Sequence, residues 1–322
     1  MNRLVFFTLS AILISLIAVS LIAGATHLSA VQVAHTLIYG GEYDFVVNQY
    51  RLPRVILAIG VGAGLGLSGV LVQGIIRNPL ASPDLMGISA GAGLAATALM
   101  VFFPQAPNHL LSLSALFGGM SAAAIIYIIN TTTQPTPTKL ALIGVSISAF
   151  LASLIDFLMV VHPMEINTAM VWLTGSLWGR NWTHVPTIWF TLVVLVPYAF
   201  WLAWRLDILG LGDDSATSLG VTPTKLQWRA LLCAVVLASL SVSICGTISF
   251  VGLLAPHLAK MLFGHQHKAL IPGAALIGGS LVLASDTLAR GLQPPIELPA
   301  GVLTSLIGAP YFIYLLQRYK GW

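Results

Sequence analysis

The chain has 322 residues, of which only 7% are charged and 57% hydrophobic, and its mean hydropathy is +0.92. A soluble domain carries about 25% charged residues, so lipid rather than water must be the solvent for most of this chain. The net charge of +4 is spread thinly, with no Lys/Arg cluster of four or more, which argues against nucleic acid as a partner. Cys233 and Cys245 sit in apolar surroundings without a disulfide framework.

A membrane helix needs about 20 mostly apolar residues. Residues 4–25 supply the first span. Ala23, Gly24 and Ala25 would also suit signal cleavage, but the apolar run is long and its basic flank is a single Arg, so it is read as a helix. Between Arg54 and Arg77 lie 22 uncharged residues, the second span. The 54 uncharged residues between Asp84 and Lys139 hold two more, turning at Pro104, Pro107 and Asn108. A fifth follows at 140–161, a short apolar piece at 166–177, and a sixth span at 183–204. The polar segment 205–229 is the longest in the chain; spans at 230–248, 269–284 and 298–317 come after it. Residues 250–263 are too short to cross comfortably and are interrupted by Gly252 and Pro256.

Charge decides whether that short segment crosses, because Lys and Arg concentrate in cytoplasmic loops. The loop after span one has Glu42 and Asp44 but no Lys or Arg up to Tyr50, so it reads as outside. If 250–263 crosses, then Lys260, Lys268, Arg318 and Lys320 fall inside; if not, they fall outside and the rule is inverted. The expectation is ten spans with both termini cytoplasmic, leaving only Arg51, Arg54, Arg180 and Arg290 outside. Trp172, Trp178, Trp182 and Trp189 then mark the outer boundary, and Trp201, Trp204, Trp228 and Trp322 the inner one.

Gly64, Gly66 and Gly69 match a GxGxxG dinucleotide pattern, but inside an apolar span they read as close helix packing, with Gly60/Gly64 and Gly62/Gly66 at four-residue spacing. None of the five lysines follows a glycine, so no P-loop is present, and any ATPase must be another polypeptide. The eight histidines scatter; His265 and His267 read as an interfacial basic loop. No catalytic or metal-ligand constellation stands out, and no cofactor is expected. Asp156 is read as the single charge within a span core, on one small, polar face with Ser146, Ala149 and Ser153. That face is either a pathway wall or a polar helix–helix contact.

Several ordered motifs resemble the FecCD family, the permease subunits of bacterial ATP-driven importers of ferric siderophores, haem and cobalamin. They are Arg51-Leu-Pro-Arg54 before a Gly-rich span, the run from Gln73 through Asn78, Pro83 and Asp84 to Gly87, the run Trp172 to Arg180, Gly246 to His257, and Glu297 to Gly301 with Gly308 and Pro310. The resemblance spans essentially the whole chain and implies an all-α polytopic permease, one transmembrane domain over 1–322. Within the family, residues 177–182 and 151–159 are closest to a ferric dicitrate permease subunit. It implies that Arg51, Arg54 and Arg290 dock acidic residues of a periplasmic substrate-binding protein, while Arg180 has no counterpart. Planar guanidinium suits that pairing.

The resemblance also places ATPase-coupling helices in 205–229. There Asp213, Asp214, Ser215, Ala216, Leu219 and Gly220 read as a short helix with an acidic start and a glycine stop. Thr136 to Lys139 matches the cytoplasmic gate region, weakened by Pro137; Thr138 and Lys139 join Ser146, Ser153 and Asp156 as gate or pathway residues. The implied partners are a second permease subunit, identical or paralogous, two ATP-binding subunits and the binding protein, in the inner membrane. The implied cargo is a ferric chelate, ferric citrate first, with another siderophore, haem or cobalamin as the alternative. An ion-coupled secondary transporter, the different-class alternative, needs several intramembrane charges where only Asp156 is expected.

Overall fold

The computed structural model describes residues 3–24, 26–131, 137–164, 166–294 and 296–318. Among them there is no strand. The α-helices in chain order are α1 (Arg3–Ile22), α2 (Ala30–Tyr39), α3 (Leu52–Ile76), α4 (Ile88–Phe102), α5 (Asn108–Thr131), α6 (Pro137–Val161), α7 (Ile166–Leu173), α8 (Val185–Leu209), α9 (Asp213–Ser218), α10 (Pro223–Cys245), α11 (Val251–Phe263), α12 (His267–Gly291) and α13 (Ala300–Arg318). A π-helical stretch, Phe45–Arg51, leads directly into α3. Seven of these helices are long and apolar enough to cross a membrane: α1, α3 with its lead, α5, α6, α8, α10 and α12. Shorter apolar helices, α4, α11 and the first part of α13, fall on the remaining expected stretches. The protein is thus an all-α polytopic membrane protein. Thr136, Lys320 and Trp322 lie outside the described residues.

The centre of the molecule is α3. Of its most apolar window 89% is buried, against 11% for α1 and for α6, so α3 is the hub and those two are peripheral. It packs against α12, α10, α11 and α8, while α4, α5 and α6 form a second group joined to the first through α10. The glycines of α3 make this possible. A methyl on Gly62 would collide with the Gly278 carbonyl of α12, and one on Gly69 with the Gly252 carbonyl of α11. The GxGxxG pattern is therefore a set of helix–helix close approaches, as its apolar setting suggests.

The short element α11 is preceded by the non-helical stretch 246–250. Thirteen helical residues rise about 20 Å, less than a core of about 30 Å, and the stretch before them has Gly246 and Phe250 at positive φ (73° and 68°). Non-helical backbone at membrane depth must be buried in protein with its polar groups satisfied. Here the Ser176 amide donates to the Cys245 carbonyl (2.7 Å), the Gly301 amide to the Gly175 carbonyl (2.9 Å), and the Thr247 hydroxyl to the Leu173 carbonyl. Three of the ordered sequence motifs thus meet as one backbone junction.

Sequence reading gave no hint of α2, which follows a capping box: Ser29 Oγ accepts from the Gln32 amide (3.2 Å) and Gln32 Oε1 from the Ser29 amide (2.8 Å). In the polar segment 205–229, α8 continues to Leu209 and α10 begins at Pro223, leaving α9 and short flanks between them. Trp172 departs from the expected outer belt. It is 7% exposed and packs on Ala92, Ala96, Ala115 and Val242, whereas Trp178, Trp182 and Trp189 are exposed. At the other boundary the Arg205 guanidinium stacks 4.0 Å above the Trp201 ring.

Candidate functional site

Two polar clusters occupy opposite ends of α3, each drawn from residues distant in sequence. At its N-terminal end, Arg54 Nε lies 2.9 Å from Asp286 Oδ1 and Nη1 lies 2.6 Å from Glu297 Oε2. Nη1 also donates to the Tyr50 hydroxyl oxygen (3.0 Å), and that hydroxyl donates to Glu297 Oε1 (2.7 Å). One turn beyond Asp286 on α12, Arg290 donates to Ser20 Oγ (2.7 Å) and to the Ser20 and Ala23 carbonyls. Its Nε stands 3.2 Å from Asp286 Oδ2. Arg51 donates to the Leu21, Ile22 and Thr26 carbonyls at 2.8, 2.8 and 2.6 Å. The carbonyls at the end of α1 have no intrahelical partners, and the helix dipole is negative there, so cations are the natural cap. Gly24 leaves room for it: a Cβ there would stand 2.8 Å from Arg51 Nη2.

This cluster alters the expected picture in two respects. Arg51, Arg54 and Arg290 are only 2%, 1% and 2% exposed. Their guanidinium groups are already engaged within the chain. Asp156 is also not the only charge within a helix long and apolar enough to cross, because Asp286 is fully buried in α12. Three guanidinium groups nevertheless face two carboxylates here, which leaves positive charge uncompensated. A cleft of about 210 Å³ bordered by Thr26, Tyr50, Arg51, Arg290 and Glu297 gives onto it.

At the opposite end of α3, Lys260 Nζ donates to Gln73 Oε1 (2.9 Å), and Gln73 Nε2 reaches the Leu253 carbonyl (3.4 Å). His267 opens α12 with its ring Nδ1 2.6 Å from Asp207 Oδ1 and its amide donating to the same oxygen (3.0 Å). It is 9% exposed, so it ties α12 to α8 rather than belonging to a free basic loop. Arg77 ends α3 in the left-handed conformation (φ 55°) and forms an ion pair with Asp213.

Asp213 opens α9. Asp213 and Asp214 occupy its first turn, where the helix N-terminus favours negative charge. Ala216 is fully buried and seats the helix, and Leu211 (66%) and Leu219 (59%) stand exposed on either side. Gly220 (φ 80°) stops the helix: its amide bonds to the Thr217 carbonyl (3.0 Å) and the Val221 amide to the Ala216 carbonyl (2.9 Å). This is the paired closure of a Schellman motif, which requires the left-handed residue.

The α6 face is exposed at Ser146, Ala149, Ser153 and Asp156. The two serine hydroxyls turn back to the Leu142 and Ala149 carbonyls, each at 3.0 Å. Lys139 lies in the first turn of the same helix, and the Thr138 side chain is outside the described residues. No group of three or more potential metal ligands occurs among the described residues.

Sequence reasoning missed Asp286, Glu297 and Tyr50 as partners of the arginines, and Asp207 as the partner of His267. One signal was available. Asp286 stands four residues before Arg290, the spacing of an ion pair on one helix face.

Residues 12–318 match the family model described as the FecCD transport family, and the chain belongs to that family. It is 44% identical over 315 residues to the Fe(3+)-citrate import system permease protein YfmE of Bacillus subtilis, covering 98% of this chain and 95% of that one. It is 46% identical over 281 residues to the Fe(3+) dicitrate transport system permease protein FecD of Escherichia coli, covering 87% and 88%. Among solved structures, an inward-facing conformation of an ABC transporter described as of metal-chelate type superposes with a TM-score of 0.86 at 31% identity, covering 98% of this chain and all of that one. The chain is a permease subunit of an ABC transporter.

Proposed function

We propose that this permease moves ferric citrate from the periplasm across a bacterial inner membrane, driven by ATP hydrolysis on separate subunits. The observation that carries the cargo is the identity of 44–46% to two ferric citrate permeases over most of the chain. What supports the energy coupling is α9. Its exposed leucines offer an apolar knob for a groove on an ATP-binding subunit, and the Arg77–Asp213 pair joins that knob to the hub helix. The polypeptide crosses ten times with both termini cytoplasmic, which puts α9 inside and the Arg54 cluster outside.

The outer end receives a substrate-binding protein. An acidic side chain of that protein enters the cleft beside Arg51 and Arg290, where positive charge is in excess, or displaces Glu297 from Arg54. The α6 face is covered by a second permease subunit. A carboxylate such as Asp156 costs about 2.5–3.5 kcal/mol at a helix centre in lipid, so a protein or water-filled neighbour is favoured. With Thr138 and Lys139 at its cytoplasmic end, α6 would line the path between the two permeases.

Iron uptake by a strain lacking this gene tests the reading. Loss of uptake from ferric citrate, restored by the gene, with uptake from ferric hydroxamates intact is the expected result. The reverse pattern would shift the cargo to the hydroxamate class.

A further inference from the structure

A third cluster stands apart from the two on α3, where the end of α8 meets the start of α10. The guanidinium carbon of Arg205, on α8, lies 4.0 Å from the Trp201 ring centroid and 4.5 Å from that of Trp204. Arg229, on α10, approaches the same Trp201 ring at 5.7 Å. One indole is thus the platform for two cations from two helices. Each gains from the ring face, but the two repel each other. Arg205 Nη1 donates to the Trp201 carbonyl (2.8 Å). Among the described residues the Arg229 side chain donates no hydrogen bond, and no carboxylate forms an ion pair with either guanidinium. Lys225, one turn before Arg229, is exposed. Lys225 and Arg229 fall in the first two turns of α10, the end of a helix at which the dipole disfavours cations.

What borders the cluster follows from the two helices. Both α8 and α10 are long and apolar enough to cross a membrane. The chain doubles back between them, so the end of one and the start of the other reach the same headgroup layer, whichever leaflet that is. Trp201 and Trp204 are 44% and 52% exposed, as indoles at that layer are. Exposed apolar side chains continue from the cluster toward the middle of both helices: Val194, two turns before Trp201, and Leu232, one turn after Arg229. The surface therefore offers cations without counter-charge at one level and hydrocarbon directly beside them.

We propose that Arg205 and Arg229 clamp the phosphodiester of an anionic phospholipid between them at Trp201. The guanidinium N–H groups donate to its phosphate oxygens, Lys225 adds to the attraction, and an acyl chain lies along Val194 and Leu232. Basic pockets between membrane helices suit such headgroups. Free phosphate, or an acidic segment of a partner subunit, shares the charge but has no use for the apolar surface that continues from the cluster.

The test is native mass spectrometry of the intact permease complex titrated with phosphatidylglycerol or with phosphatidylcholine of the same chains. One phosphatidylglycerol per chain, retained in preference to phosphatidylcholine, is expected. Arg229→Gln should weaken that retention about fivefold without changing thermal stability in lipid-free detergent, and Arg205→Gln combined with it about thirtyfold. Trp201→Leu keeps all three cations and removes their platform; it should weaken retention about as much as Arg229→Gln. Arg3→Gln, which removes an exposed charge at the start of α1, should leave retention unchanged. Equal retention of the two lipids, or wild-type retention in the double variant or in Trp201→Leu, would overturn the site. Displacement of the lipid by millimolar inorganic phosphate would overturn the lipid assignment in favour of a soluble anion. Loss of the ATP-binding subunits from the double variant, with lipid retention intact, would assign the cluster to a protein contact instead.

Discussion

Arg54 is the residue on which the cluster at the start of α3 turns. It holds Asp286 and Glu297 at once, and both it and Asp286 are 1% exposed. Removing one partner of such a pair leaves a buried charge and costs about 3–5 kcal/mol, whereas replacing both by apolar groups of similar volume is often neutral. Arg54→Gln should therefore cut the yield of folded permease and lower its unfolding temperature in detergent. Arg54→Met combined with Asp286→Leu should recover most of that loss. If the single and double variants are equally unstable, the pair is not what the buried site requires. Charge reversal at Arg51 or Arg54 should likewise damage folding along with docking, so the cleaner docking test is Arg290→Lys, which keeps the charge and gives up the fork. The sequence already marked these arginines, because the ten-span expectation leaves them outside, against the positive-inside rule. It did not reveal their partners: Asp286 and Glu297 are 232 and 243 positions away from Arg54, and packing of α3 against α12 and the segment before α13 brings them together.

At the scale of elements, α3 and α9 are joined by one ion pair. Their link, Arg77 to Asp213, is partly exposed (28% and 56% at the side chains), and such surface pairs contribute about 0–1 kcal/mol. Asp213→Lys should then barely change stability but should suppress stimulation of ATP hydrolysis by the loaded binding protein. The swap Arg77→Asp with Asp213→Lys should restore it, as assayed in reconstituted complexes. Failure of the swap while Leu219→Asp still uncouples would leave the peg as the coupling element and remove the ion pair from it. Gly220→Val should act like Leu219→Asp, since a β-branched residue resists a φ of 80°. The glycines of α3 give a second element-scale prediction. Gly62→Ala drives a methyl into the backbone of α12 and should abolish expression of folded protein, while Gly291→Ala, with open space around it, should be silent in the same expression assay. Most elements were legible because periods of apolar residues and gaps between charges mark membrane helices directly. A crossing at α11 is argued from charge alone, because its helix is short and the non-helical 246–250 stretch before it carries no periodicity. The amphipathic α2, ten residues between α1 and α3, gives no span signal at all.

For the whole molecule, the account requires ten crossings and a partner on α6. Reporters fused after Gly264 and after Gln293 should read cytoplasmic and periplasmic respectively; the opposite at either site would return the chain to nine spans. Cysteine placed at Ser153 should cross-link to a neighbouring permease subunit, the native Cys233 and Cys245 being buried. Labelling of that cysteine by a lipid-phase reagent alone would turn the α6 face toward the bilayer. The central claim is that ATP hydrolysed on partner subunits drives a ferric chelate through this permease. Its most direct test is iron accumulation in proteoliposomes that hold this chain with its co-expressed subunits, supplied with loaded binding protein outside and ATP inside. The account predicts accumulation with citrate as the chelate, none without ATP, and none with Leu219→Asp in the same preparation. Accumulation driven by an ion gradient in the absence of ATP would contradict it.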